Sequence, residues 1–304
     1  VSVEFCGLQL AHPIINGSGT FDAIAARRVF GEPLLADFPF AAYVSKTITL
    51  EPRAGNPPPR LWETPAGLIN SIGLPNKGLD GYMREDLPQL AELTGGASGR
   101  SAIPLVTNVM GATAEELSRL VAACDARAEI AAIELNVSCP NVKTGLDIGA
   151  DPGQLQEVLR SVRALTGKPL IVKLTPNTAD VSACALAAEQ GGADAVSLIN
   201  TLRATALAPL GRSAAGGAHG TGAQRDRWLG GGTGGLSGPA IRAVALAQVA
   251  AVSARVSIPI VGMGGVQSAT HAQELLDVGA TLVAVGTESF RDPAAGARIA
   301  RGLA

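Results

Sequence analysis

The chain has 304 residues and carries 24 Lys plus Arg against 26 Asp plus Glu, a formal net charge of −2. That balance argues against a nucleic-acid binder, because affinity for phosphate backbones comes from a surplus of basic charge. Apolar residues make up 47% of the chain, aromatics only 3%, and Gly (37) and Pro (19) are abundant; with a mean hydropathy of +0.26 this is a folded protein with an aliphatic core and many turns, not a low-complexity one.

In chain order, an N-terminal hairpin is expected around Cys6-Gly7, between VSVEF and LQLA. Short β-branched runs then recur, most of them followed by an amphipathic helical segment. They predict strands at Pro13–Asn16, Ala41–Thr49, Ile103–Val109, Ile130–Val137, Leu170–Leu174, Ala195–Asn200, Pro259–Gly262 and Leu282–Val285. Thr113-Ala-Glu-Glu116 reads as a capping box opening a helix with Leu117, Leu120, Val121 and Cys124 on one face. Asp151-Pro152 opens another, with Leu155, Val158, Leu159 and Val162 as its buried stripe and Gly167 as its stop. Eight βα units predict a (β/α)8 TIM barrel occupying residues 1–304 as a single domain. An open doubly wound sheet is the structural alternative, but no strand leads into a GxGxxG with an acidic residue about 20 positions on.

Two connections break the rhythm. Leu50–Lys77 is long and proline-rich; Leu202–Gly238 is a Gly-rich insertion with ten glycines between Gly211 and Gly235, expected to be mobile with Trp228 as an anchor. The four cysteines, Cys6, Cys124, Cys139 and Cys184, have no CxxC or other close spacing, so no metal cage or cluster is expected and the thiols read as reduced. The opening segment lacks the features of a signal peptide, and no apolar run reaches spanning length; a cytoplasmic location away from membranes is expected.

In a barrel, catalytic groups come from the C-terminal ends of the strands. Here those ends read NGSGTF, SKT, TNVMG, ELNVSCPN, VKLTP, INT, GMGG and VGT. Lys46 and Lys173 interrupt β-branched runs, where an ammonium is costly unless paired, and together they suggest an anionic or electron-rich ligand. Gly262–Gly265 and Gly286-Thr287 end strands seven and eight, where barrels commonly grip a phosphate through backbone N–H groups. Asn70, Asn108, Asn136, Asn141 and Asn200 at strand ends or in the first long connection suit a planar ring with amide edges, although any one of them taken alone is more often a turn residue. Cys139 precedes Pro140-Asn141 and a lid-like run, a placement open to a nucleophile or a base. A Cys–His protease arrangement is disfavoured because His12, His219 and His271 lie away from strand ends.

The motifs SKTITLEPRAGNPPPRLWETPAGLINSIGLPNKG, ELNVSCPN, VKLTP, INT, GTGGLSGPAI, GMGG and VGT, in this order over nearly the whole chain, resemble the dihydroorotate dehydrogenases. Cys139, where class 2 members carry serine, resembles class 1; TLEPRAGNP with GTGGLSGPAI is similar to the B-type, NAD-linked catalytic subunits more than to the fumarate-using A type. The resemblance implies FMN above the barrel, its phosphate on Gly264, Gly265, Gly286 and Thr287 with Gly238 nearby. Ser18, Lys46, Thr47, Asn108, Asn136, Lys173 and Ile199 would line the rest of the flavin. Dihydroorotate would be held by Lys46, Asn70, the backbone of Ser71, Ile72, Gly73 and Leu74, and by Asn136, Asn141, Asn200 and Thr201. The resemblance further implies that Cys139 is the general base on C5 while the C6 hydride passes to flavin N5, with Lys173 stabilising the charge that builds there. It implies an iron–sulfur, FAD-containing partner subunit and a homodimer or heterotetramer, with orotate formed in pyrimidine (UMP) biosynthesis. The alternatives are an A-type enzyme, a related FMN enzyme acting on dihydropyrimidine or on tRNA dihydrouridine, for which the basic charge is lacking, and a non-catalytic phosphate-binding barrel. The insertion at Leu202–Gly238 looks about a dozen residues longer than is usual in the family.

Overall fold

The computed structural model describes residues 2–31, 33, 36–96, 101–137, 148–209 and 225–303. Its centre is a parallel sheet of eight strands in which each is followed by a helix: β1 (Ile14–Asn16), β2 (Tyr43–Val44), β3 (Leu105–Val109), β4 (Ala132–Asn136), β5 (Leu170–Lys173), β6 (Ala195–Leu198), β7 (Ile260–Met263) and β8 (Leu282–Val285). Neighbours in sequence are neighbours in the sheet, and β8 pairs with β1, so the strands curl into a nearly closed (β/α)8 barrel, as the alternation predicts.

The seam between β1 and β2 is closed by a side chain. Asn16 is fully buried, and its carboxamide donates to the Val44 carbonyl (2.7 Å) while accepting the Val44 N–H (2.8 Å). It replaces a peptide group across the one gap where the backbone ladder lapses. The second strand is shorter than expected: only Tyr43–Val44 pairs as a strand. Beyond it the Ser45 hydroxyl takes the Asn108 N–H (3.1 Å), and the chain rejoins the sheet as an isolated bridge from Ile48 to Val109.

Strand residues alternate between two cores. Outward ones, such as Ile133, Leu135, Val172 and Val196, pack under the helices. Inward ones form an apolar layer of Val106, Ala132, Ile171, Ala195, Val261 and Leu282, stoppered from below by Phe5 and Leu10 of the N-terminal hairpin. Above that layer the inward positions turn polar: Asn108, Glu134, Asn136, Lys173 and Ser197, all buried. The helix signals hold at their starts. Thr113 accepts from the Glu116 N–H (3.1 Å) and Asp151 from the Gln154 N–H (3.0 Å). The stop at Gly167 does not hold; that helix ends at Arg163, because the Asp125 carboxylate gathers Thr166 Oγ1 (2.6 Å) and the Gly167 N–H (3.1 Å) into a separate turn.

The two long connections are not simple loops. They combine into one antiparallel four-stranded sheet, in the order Leu202–Ala204, Gly234–Ser237, Gly67–Asn70, Leu61–Thr64. Ile69, Ala206 and Leu229 form its small core, and Trp228 meets Trp62 edge to face at 5.9 Å. Glycine permits the close seam: a Cβ at Gly235 would lie 1.9 Å from Thr201 Oγ1, and one at Gly230 1.9 Å from the Pro57 carbonyl oxygen. Both ends of the Gly-rich connection are therefore ordered, while its residues 210–224 lie outside the described ones.

Candidate active site

Between the barrel's C-terminal strand ends and this second sheet lies a cavity of about 1050 Å³. Its lining brings together Ser18, Lys46, Thr47, Asn70, Ile72, Gly73, Leu74, Asn136, Lys173, Ile199, Asn200, Thr201, Gly238, Gly264, Gly265, Gly286 and Thr287. These come from seven strand ends or the connections after them, so only closure of the barrel unites them. Cys139 and Asn141 lie outside the described residues. Two expected residues are not in the lining. Ser71 is buried, with its hydroxyl on the Thr233 carbonyl (2.7 Å), and it joins the two connections. Asn108 is buried below the cavity, where its amide donates to Glu134 and its Oδ1 has no partner.

The floor follows from the polar upper layer. Lys173 is buried, yet it lines the cavity and pairs with no anion among the described residues. A cation so placed calls for an electron-rich ligand. Ser18 donates to the Ser45 carbonyl (2.8 Å) and shares a hydrogen bond with Thr47 (3.3 Å), so this edge is preformed around Lys46.

On one side the cavity is walled by backbone. Gly264 (φ +133) and Gly265 (φ +72) follow β7, and a Cβ on them would lie 2.8 Å from Ala245 Cβ and 2.7 Å from Arg242 Cβ. At Gly286 a Cβ would find nothing nearer than 3.7 Å, so the bare backbone borders open space. Among the described residues no acceptor takes the N–H groups of Gly264, Gly265 or Gly286. The turn Pro239–Ile241, leading into the helix Arg242–Ser253, opens at Gly238, and the turn Thr287–Phe290 opens at Gly286. Free N–H groups and a helix start at one place make an anion cradle. A phosphate-bearing planar cofactor fits these residues: the cradle would take the anion, and Lys173, Asn136 and Thr47 would offer polar groups to a ring.

On the other side, the Ile72–Leu74 segment is held rigidly from behind. Gly73 (φ +75) and Leu74 (φ +55) are both left-handed, which for leucine is a strained state that needs support. Asn76 supplies it, donating to the Leu74 carbonyl (2.9 Å) and to Thr49 Oγ1 (2.9 Å) and accepting the Gly78 N–H (2.8 Å). Asn177, which sequence reasoning passed over, clamps the opposite wall: it donates to the Thr201 carbonyl (3.0 Å) and accepts the Arg203 N–H (2.8 Å). Its only sequence signal was its place just after VKLTP. Ser237 was missed as well; its hydroxyl meets that of Thr287 at 2.8 Å and ties the second sheet to the cradle.

A model of the dihydroorotate dehydrogenase family matches residues 1–304. The chain belongs to the dihydroorotate dehydrogenase family. It is similar to the "Dihydroorotate dehydrogenase B (NAD(+)), catalytic subunit" of Geobacter sp. (strain M21), 43% identical over 302 residues covering 99% of this chain and 91% of that protein. The protein of the same name from Trichlorobacter lovleyi is 43% identical over 307 residues (100% and 92%), and that from Desulforudis audaxviator 42% over 306 residues (99% and 91%). As a member of this family the chain is a flavin-dependent oxidoreductase that converts dihydroorotate to orotate in pyrimidine biosynthesis. Among the described residues no helix is long and apolar enough to cross a membrane.

Proposed function

We propose that this chain is the FMN-containing catalytic subunit of a B-type dihydroorotate dehydrogenase, a cytoplasmic enzyme that passes electrons to NAD through an iron–sulfur, FAD-containing partner. The observation that carries this reading is the pairing, in one cavity, of a glycine cradle with free N–H groups and a buried ammonium with no anion of its own. Gly264, Gly265, Gly286 and Thr287, with Gly238, hold the FMN phosphate; Ser18, Lys46, Thr47, Asn136, Lys173 and Ile199 surround the ring, with Asn108 behind them. The flavin supplies hydride acceptance at N5.

The chain's own residues do the rest. Lys46, Asn70, the Ser71–Leu74 backbone, Asn136, Asn141, Asn200 and Thr201 bind and orient dihydroorotate. Cys139 removes the C5 proton, and Lys173 stabilises negative charge arriving in the cavity. The names of the relatives support the NAD-linked assignment and a separate partner subunit. The assembly is a homodimer or a heterotetramer.

The protein is expected to purify yellow and to be bleached by dihydroorotate in the absence of oxygen; a protein that binds riboflavin as tightly as FMN contradicts the phosphate cradle. Turnover measured against NAD, fumarate and a quinone, with and without the co-purified partner, identifies the acceptor. Cys139→Ala is expected to bind FMN and orotate normally and to slow flavin reduction by roughly 10²–10⁴-fold. Because a free thiol titrates at about 8.5, reduction by the parent enzyme rises with pH as the thiolate forms, and the mutant loses that rise. Equal reduction rates in mutant and parent rule out the base.

A further inference from the structure

Glu134 is a buried carboxyl group that the proposed chemistry leaves unused. It is only 4% exposed and sits on β4, two residues before Asn136 on the same inward face, hence about 7 Å below it at ~3.3 Å per residue. One carboxylate oxygen accepts from Asn108 Nδ2 and the other from the Ser197 hydroxyl (2.7 Å). No cation pairs with it among the described residues. Each oxygen thus accepts one hydrogen bond, the pattern that suits an acceptor-only carboxylate. The same Ser197 stands beside Lys173 in the β5–β6 register, and Asn136 flanks Lys173 from β4. Lys173, which lines the cavity, and Glu134 one inward layer below it thus share the barrel interior without forming an ion pair.

We propose that Glu134 sets the reduction potential of the flavin bound above it, holding it low enough for electrons to leave toward NAD. The proposal rests on the FMN reading given above. A hydride arriving in the cavity brings one negative charge, which Lys173 favours and Glu134 opposes. At roughly 10 Å and an effective dielectric constant of about 20, one charge changes the ratio of affinities for reduced and oxidised flavin about tenfold. NAD is a weak oxidant, so a site with Lys173 alone would retain the electrons. A carboxylate one layer down offsets the ammonium while leaving it free to meet the ring.

The test is Glu134→Gln in the flavin-loaded protein, a change that keeps size and removes the charge, with one acceptor oxygen becoming an NH2 group that the Ser197 hydroxyl oxygen can accept from. The flavin midpoint potential is expected to rise by the equivalent of a tenfold affinity ratio, about 30 mV for a two-electron couple. Reduced FMN is expected to bind the variant about tenfold more tightly, relative to oxidised FMN, than it binds the parent. Ser197→Ala, which removes one donor but no charge, should move the ratio less than threefold. An unchanged or lowered potential in Glu134→Gln overturns the proposal. If that variant does not fold, carbon-13 NMR of the glutamate carboxyls in the parent decides: an ionised Glu134 supports the proposal, and a neutral acid donating to a flipped Asn108 overturns it. Failure of the parent to bind FMN would instead overturn the cofactor assignment, and the NMR measurement would still report the charge of Glu134.

Discussion

The barrel and the small antiparallel sheet above it are built by different rules, and the cavity lies between them. Barrel strands are bordered by local helices, and their inward and outward residues each meet a core, so every strand is buried on both faces. The upper sheet joins segments more than 160 residues apart, Gly67–Asn70 to Gly234–Ser237, around a core centred on Ile69, Ala206 and Leu229. The first is a support buried on both faces; the second is a light cover over the cavity. Low-stability elements are the ones that open most readily, so the two regions should respond differently to damage.

Asn16→Leu should produce the largest change. It leaves the Val44 N–H and carbonyl without partners in a buried seam, at about 1–3 kcal/mol each. A loss of about 3 kcal/mol in urea unfolding with an unchanged slope is expected; a loss below about 1 kcal/mol would mean that the seam is held by other contacts.

Trp228→Ala should be milder and confined to the upper sheet. Removing the Trp62 contact is expected to raise the KM for dihydroorotate about tenfold while changing global stability by less than about 1 kcal/mol. Amide exchange should accelerate at Gly67–Asn70 and stay slow at Leu105–Val109. Equal acceleration in both segments would show that the two regions unfold as one.

The smallest effect is expected from thiol chemistry below the cavity. Burial, reinforced by the charges of Asp194 and Glu4, pushes the Cys6 thiol up to about 12, and burial does the same for Cys124. A raised value keeps each thiol protonated at neutral pH, since the thiolate forms only as the pH approaches that value. Iodoacetamide at pH 7.5 should therefore leave the buried Cys124 unmodified in the folded protein and label the half-buried Cys6 more slowly than in urea, as read by mass spectrometry. Labelling of either at the unfolded rate would contradict the raised thiol values.

Local signals were legible where the physics is local. Capping residues Thr113 and Asp151, the eight β-branched runs and the polar strand ends could be read directly, because a side-chain cap or an alternating stripe involves only near neighbours. The missed features all depend on distant partners. Nothing near Gly235 announces that Thr201 will press on it, and nothing near Asn177 announces that it will bind the backbone of Thr201 and Arg203. The glycines of the second connection looked like a flexible run because their reason, close approach to the first connection, lies more than 160 residues away in sequence.

The sequence by itself determined the barrel class, the family, and the set of polar residues at the strand ends, since periodicity, turn chemistry and motif order are all carried by short stretches of chain. Tertiary structure alone decided which of those residues share a cavity, that Asn108 and Ser71 stand behind it, that Asn16 closes the seam, and that Glu134 sits beneath Lys173. These depend on closure of the sheet and on register between strands. Such long-range pairings fix the distances between charges, and the strength of an electrostatic effect follows from those distances.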